Sequence, residues 1–385
     1  MSSRVFDFHG ATRYVFGSGA LARLEPEAAS FGRKALLVID PSLSGQGLQA
    51  QAADLLKAGG LECVLFQDFT QEPEPAEADA AAARAREAGC DLVVGIGGGS
   101  AMDLAKAAAV LALNDGRAAD YVGVNLVPRP GLPTIMVPTT AGTGSEVTWT
   151  AVFTTRASKI KGGINSRFMF PDLALLDPVL TLTLPPGLTA TTGLDALCHA
   201  VESYTSVKAN PMSDLVALEA IRLISANLPL AVADGRNLPA RENMLLGSLL
   251  AGLGLANAGV TAVHALSYPL GAIYGIPHGL ANAMLLPHVM RFNALGSPEK
   301  FSTIARVMGM DPTGLTSKYQ AQAASEAVLD LMSDLGLPDG LAALDVPPEA
   351  LDDLPAKGLA LARVMENNPR AMTPADARAV YEAAF

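Results

Sequence analysis

Residues 91–113, DLVVGIGGGSAMDLAKAAAVLAL, limit the folds open to this chain more than any other stretch. An apolar run of strand length meets three consecutive glycines, and an Ala/Leu-rich segment of helical character follows. A strand with no polar face suits the interior of a parallel sheet, where helices cover both sides. Gly97, Gly98 and Gly99 remove side chains where strand turns into helix, so backbone N–H groups can approach an anion beside the positive end of the helix. The same turn also suits plain close packing of helix on strand. The glycines are contiguous and no Gly-Lys-Ser/Thr follows, so this is neither the G-x-G-x-x-G fingerprint nor a phosphate loop of the Walker type.

The runs around this unit have the same texture. Arg13–Phe16 reads as a short strand, KALLVID (Lys34–Asp40) as a buried strand, and CVLFQDF (Cys63–Phe69) as another. Asp40, at a strand end, is placed to accept hydrogen bonds from a ribose, or to cap an ordinary turn before Pro41. Residues 47–58 suit a helix. The acidic, proline-broken Glu72–Ala80 reads as a loop leading into a helix over Ala80–Ala88. TIMVPTTAGTGSEVT (Thr134–Thr148) repeats the strand-and-turn device with Thr139, Thr140, Thr143 and Ser145, whose hydroxyls suit a cofactor amide, ribose or phosphate, or a polar turn. Val147–Thr155 and Lys159–Ser166 look like a hairpin, and LALLDP (Leu173–Pro178) returns to a strand. At TLPPG (Thr183–Gly187) β-branched runs give way to long stretches of helical period, with Thr373-Pro374 a fair start for the last helix. The expected organisation is an α/β domain over 1–184 and an all-helical domain over 185–385.

Such a chain has room for two cores: 385 residues, half of them apolar and 17% charged. A net charge of −11 argues against nucleic acid or an anionic membrane surface as a main partner. Cys63, Cys90 and Cys198 have neither metal nor redox spacing, and an odd number suits a reducing compartment. MSSRVFDFHG lacks the apolar core of a signal peptide, and no uncharged apolar run reaches the length of a membrane span. A cytoplasmic protein is expected.

Three of the five histidines fall between Gly193 and Gly279. Asp195 and His199 are four apart in GLDALCHAVE, hence one turn above each other on a helix. His264 and His278 follow in HALSYPLGAIYGIPHG. One carboxylate and three imidazoles suit a first-row divalent metal and leave positive charge to polarise a substrate oxygen. A helical Asp–His pair also serves as a capping or surface interaction, and a histidine in an apolar run also serves as a core residue. Cys198 adjoins His199 but points about 100° away on a helix, which suits packing.

With GGGSAMDLAK, PTTAGTGSEVT, GLDALCHAVE, HALSYPLGA and GIPHGLANAMLLPHVMRFN in that order, nearly the whole chain resembles the iron-dependent, group III alcohol dehydrogenases. The resemblance implies an N-terminal α/β dinucleotide-binding domain and an all-α metal-binding domain, an architecture like that of dehydroquinate synthase, with nicotinamide meeting the ion in the cleft between them. It implies Asp195, His199, His264 and His278 as ligands of Fe(II), with Zn(II) as the rival ion. It implies Gly98, Gly99 and Ser100 at the pyrophosphate with Asp103 closing that turn, and Thr139, Thr140, Thr143, Val152 and Lys161 along the cofactor. Asp40 falls where members that prefer NAD carry an acid, and an acid there repels a 2′-phosphate. The implied activity is reversible hydride transfer between a primary alcohol, or its aldehyde, and NAD, by a homodimer or higher homo-oligomer.

Some positions depart from the pattern. Tyr268 stands where many members have a histidine near the substrate, and a phenol with an ordinary pKa of about 10 is a poor base at neutral pH, though still a hydrogen-bond donor. The Ser-Tyr-Pro run is also similar to the hydroxyacid–oxoacid transhydrogenase branch, which makes that reaction, or hydroxy-acid dehydrogenation, the alternative. Glu72 replaces an asparagine of some relatives. His288 matches the family stretch without being a ligand, and Leu255 lies where some small-alcohol enzymes carry an aromatic. A non-enzymatic dinucleotide sensor would bind NAD without needing the four ligand positions.

Overall fold

The computed structural model describes residues 5–157 and 160–385; Lys159, at the start of the expected second hairpin strand, lies outside them. Backbone packing divides the chain into one unit over Gly10–Thr183 and a second made of Leu184–Phe385 with the N-terminal segment. Residues 5–9 thus go with the helical unit. His9 N–H donates to Asn257 Oδ1 (2.6 Å), and Asn257 Nδ2 donates to the His9 carbonyl (2.8 Å).

The first unit alternates strand and helix: β1 (Arg13–Phe16), α1 (Leu24–Phe31), β2 (Lys34–Ile39), α2 (Leu48–Ala58), β3 (Glu62–Phe66), α3 (Pro75–Ala88), β4 (Leu92–Gly97) and α4 (Gly99–Leu113). It continues with β5 (Gly123–Val124), β6 (Thr134–Pro138), β7 (Thr150–Thr155), β8 (Ile160–Asn165) and β9 (Leu173–Leu176). The main sheet runs β1-β9-β6-β4-β2-β3, with every pairing parallel. Its central strands β2, β4, β6 and β9 are almost wholly apolar and buried, because alternate residues feed two cores. Leu36, Val38 and Val93 pack with Ala81, Leu104 and Ala108 of α3 and α4. Ala35, Leu37, Ile39, Val94 and Ile96 pack with Leu24, Ala52 and Leu56 of α1 and α2. Each leucine so buried stabilises the unit by about 2 kcal/mol. β7 and β8 form an antiparallel hairpin, with β5 pairing beside β8.

Three boundaries differ from expectation by three residues or more; β3 ends at Phe66, not Phe69. Helix α3 begins at Pro75, not Ala80, because Glu74 and Glu77 form a reciprocal cap around a proline at the first turn. The hairpin strand begins at Thr150, not Val147, because Ser145–Val147 closes into a single helical turn behind Gly144.

The second unit is helical in all its regular elements among the described residues: α5 (Pro186–Thr205), α6 (Pro211–Ala233), α7 (Leu238–Ala258), α8 (Ala262–Tyr274), α9 (His278–Asn293), α10 (Pro298–Val307), α11 (Ser317–Asp334), α12 (Leu354–Leu359), α13 (Ala362–Met365) and α14 (Pro374–Ala383). Helix α6 has the length and mean hydropathy of a membrane span. Asp214, Glu219 and Arg222 interrupt it, and Ala217, Ala220, Ile221, Ile224 and Leu228 are buried. It packs against α5 and α7, as a core helix does. Thr373 caps α14 through the Asp376 N–H, with Pro374 at its first position.

Candidate active site

In the α/β unit the sheet order reverses between β2 and β4: the chain goes outward from β2 to β3, then returns on the other side through β4, β6 and β9. Crevices outside the carboxyl ends of strands at such a point are where open α/β sheets bind ligands. Asp40 follows β2, Gly98 to Ser100 follow β4, and Thr139 and Thr140 follow β6, so three neighbouring strand ends carry them. Gly97 has φ 150°, and a Cβ there would lie 2.8 Å from Ala101 Cβ and 3.0 Å from Asp40 Cβ, so only glycine lets β2 and the start of α4 come this close. Gly98 caps α4 without a side-chain hydrogen bond.

The expected cofactor residues divide by what they already hold. Gly98, Gly99, Ser100, Thr140 and Thr143 keep part of their surface exposed around the turn, whereas Thr139 is buried, its N–H bonded to the Gly97 carbonyl (2.9 Å). Asp40 accepts from Ser42 N–H (2.9 Å) and Ser42 Oγ (2.7 Å), so it does cap the turn before Pro41. Asp103 is committed within the protein. It accepts from Ser145 Oγ and from the Val152 N–H (2.8 Å), and pairs with Lys106 at 3.2 Å, which ties the threonine loop and the hairpin to α4. Lys161 Nζ lies 2.6 Å from Glu72 Oε1, and the Glu72 N–H donates to Ser100 Oγ (3.2 Å). Lys161 therefore reaches the glycine turn through Glu72, a position sequence reasoning set aside.

In the helical unit Asp195 and His199 lie one turn apart on α5, His264 in the first turn of α8, and His278 at the first position of α9. Gly279 lets α9 touch α5: a Cβ there would sit 2.4 Å from the Thr191 carbonyl oxygen. Asp195 Oδ1 lies 3.8 Å from His199 Nε2, 3.8 Å from His264 Nε2 and 3.7 Å from His278 Nε2, and the Nε2 atoms of His199 and His264 are 3.1 Å apart. Ligands about 2.1 Å from one ion at tetrahedral corners stand roughly 3.4 Å apart. Asp195, His199 and His264 are buried, while the His278 side chain keeps 29% of its surface exposed, which marks the open side of the set.

The electrostatics suit a cation. Burial by itself pushes the Asp195 carboxyl up, but the facing imidazoles of His199, His278 and His264 and the Asn282 amide hold it down, to about 2. Asn282, one turn after His278, aims its amide nitrogen at Asp195 Oδ1 (2.7 Å), His264 Nε2 (3.1 Å) and His278 Nε2 (3.2 Å). Two N–H bonds cannot satisfy three such atoms well, and Asn282 Oδ1 is buried with no partner. One carboxylate oxygen with imidazole nitrogens fits Fe(II) or Zn(II). Tyr268 lies against the set, its ring centroid 5.6 Å from that of His278 and 6.2 Å from that of His264. His288 is half-buried farther along α9, and burial lowers its pKa. Leu255 is half-buried on α7.

Sequence reasoning missed Asn282 and Glu202. Both carried a signal, as polar residues one helical turn from an expected ligand: Glu202 three after His199, Asn282 four after His278. Cys198, read as packing, is fully buried, with Sγ 3.7 Å from Glu202 Oε2 and 4.0 Å from His264 Nδ1.

Comparison with known proteins agrees with this geometry. Residues 11–178 match the iron-containing alcohol dehydrogenase family, and residues 189–385 match the C-terminal region of the Fe-containing alcohol dehydrogenases. Long-chain-alcohol dehydrogenase 1 of Geobacillus thermodenitrificans is 43% identical over 373 residues, which span 96% of this chain and 94% of that protein. The crystal structure of a 1,3-propanediol oxidoreductase superposes with a TM-score of 0.96 at 39% identity, covering 99% of this chain and 100% of that one. Sulfoacetaldehyde reductase from Bifidobacterium kashiwanohense, solved in complex with NAD+, superposes with a TM-score of 0.90 at 35% identity, covering 99% of each chain. With these matches over nearly its full length, the chain belongs to the iron-containing alcohol dehydrogenase family.

Proposed function

We infer that this chain is an iron-dependent, NAD-linked alcohol dehydrogenase that interconverts a primary alcohol and its aldehyde. The observation that carries the reading is the convergence of Asp195 Oδ1 with the Nε2 atoms of His199 and His264 at separations suited to one ion, with His278 Nε2 3.7 Å from the same carboxylate oxygen. Asp195, His199, His264 and His278 are its proposed ligands, with Fe(II) the resident metal and Zn(II) the rival. When bound, the ion supplies Lewis-acid polarisation of the substrate oxygen, and NAD supplies the hydride acceptor.

The chain's own residues do the rest. Asp195 offsets part of the ion's charge from a buried position, and the three imidazoles leave the remainder for an incoming oxygen. His278, the exposed member, marks the side from which substrate arrives, and Tyr268 lies beside it as a hydrogen-bond donor. At the other site, the first turn of α4 with Gly98, Gly99 and Ser100 takes the pyrophosphate. Thr139, Thr140, Thr143, Val152 and Lys161 lie along the cofactor, and Asp103 acts by holding that loop and hairpin in place. Asp40 favours NAD over NADP by repelling a 2′-phosphate. The relatives named above, two by alcohol or diol substrate and one by an aldehyde, support this substrate class over the hydroxyacid–oxoacid alternative. A homodimer or higher homo-oligomer in the cytoplasm completes the proposal.

The test replaces ligands one at a time. His199→Ala is expected to lose stoichiometric iron and to lower turnover by about two orders of magnitude or more, while NADH still binds. Tyr268→Phe is expected to keep the iron. Full turnover by metal-stripped protein, or by His199→Ala without iron, would overturn the reading.

A further inference from the structure

Glu202 is 1% exposed and sits on α5, one turn beyond His199. Its two oxygens do different work. Oε1 accepts from Thr261 N–H (2.9 Å), Thr261 Oγ1 (2.8 Å) and Val263 N–H (2.8 Å), with His264 N–H farther off at 3.4 Å. These are the N–H groups at the start of α8, whose own cap residue, Thr261, makes no side-chain capping bond. Oε2 meets His264 Nδ1 in a short hydrogen bond and lies 3.7 Å from Cys198 Sγ. One carboxylate therefore both ends a helix and grips the ring that the helix carries.

We propose that Glu202 is the positioning residue of the metal centre: it holds the proton of His264 on Nδ1, so that the Nε2 lone pair faces Asp195 and His199, where the ion binds. This rests on the metal reading above. A ligating imidazole presents its free nitrogen only if the other nitrogen keeps the proton, and a carboxylate acceptor enforces that tautomer. Three donors already converge on Oε1, the pattern of an acceptor carboxylate. With Asp195 it brings a second negative charge near a divalent ion. The same bond ties α8 to α5, so the ligands on the two helices move together.

Glu202→Gln separates the two duties by one atom. The amide oxygen can still end α8, but an NH2 facing Nδ1 donates instead of accepting. His264 must then carry its proton on Nε2, toward the ion. The experiment compares wild type, Glu202→Gln and Glu202→Ala by anaerobic chelator competition for Fe(II), by the visible absorption of the Co(II)-substituted protein, by NADH binding, and by thermal melting of the metal-free protein. Glu202→Gln is expected to lose 10–100-fold in metal affinity and to alter the Co(II) bands, while metal-free melting and NADH affinity stay at wild-type values. Glu202→Ala is expected to lower the metal-free melting temperature as well. Equal Fe(II) affinity and identical Co(II) bands in wild type and Glu202→Gln would overturn the inference and leave the metal centre standing. Wild type that binds neither ion would overturn both.

Discussion

Adding one methyl group at Gly98 tests the dinucleotide half of the function apart from the metal. Gly98 has φ −78° and ψ −169°, an extended conformation open to alanine. A Cβ built there meets nothing nearer than Thr140 Cγ2 at 3.6 Å, an ordinary contact. Gly98→Ala should therefore leave the fold intact, and by narrowing the unfolded ensemble it should stabilise the protein by about 0.4–1 kcal/mol. The methyl would enter the space between the first turn of α4 and the threonine loop, where the pyrophosphate is proposed to lie. Hydrogen bonds from backbone N–H to a charged oxygen are worth roughly 1.5–3 kcal/mol each. Losing one or two of them removes about 3 kcal/mol, or roughly 100-fold in Kd at 1.4 kcal/mol per tenfold. The assay is a fluorescence titration with NADH beside a thermal melt, both with and without Fe(II). The expected result is weakened NADH binding with melting unchanged or raised and iron affinity unaltered. Wild-type NADH affinity in Gly98→Ala would refute the placement of the phosphates at this turn.

Two more predictions probe the packing behind the sites. Gly279→Ala puts a methyl 2.4 Å from the Thr191 carbonyl oxygen, so α9 must retreat from α5; a loss of about 1–3 kcal/mol with weaker Fe(II) binding is expected, and unchanged melting and affinity would count against the close approach. Burial pushes the Glu146 carboxyl up from 4.5 to about 7, against its own backbone N–H and Lys106. Between those values the unfolded chain has released a proton that the folded chain keeps, so stability falls as pH rises through this window and levels off above it. The span corresponds to at most about 3 kcal/mol; Glu146→Gln should remove that slope in denaturant titrations at pH 5 and pH 8, and parallel slopes in variant and wild type would refute it.

Elements whose signal is local were legible in the sequence. The apolar β2 and β4, the glycine turn into α4, and Thr373-Pro374 at α14 each carry their cause within a few neighbours. The start of α3 had its signal too, a reciprocal Glu74–Glu77 cap around Pro75, but the acidic, proline-rich composition imitated a loop. The four proposed ligand positions could be named from their motifs, because Asp195 and His199 share one helix face and the order of motifs followed a family.

What the sequence by itself determined is which chemistry the chain can attempt: a glycine-rich anion turn on a parallel sheet, and one acid with three imidazoles in a helical half. The tertiary structure alone decided how those groups are held. Glu202 faces His264 because the start of α8 is hydrogen-bonded to the α5 carboxylate, and Asn282 reaches Asp195 because glycine at 279 lets α9 touch α5. Asp103 is drawn inward by Ser145 and Val152, residues 42 and 49 positions away. Such partners come from long-range packing, which no spacing along one helix or strand encodes.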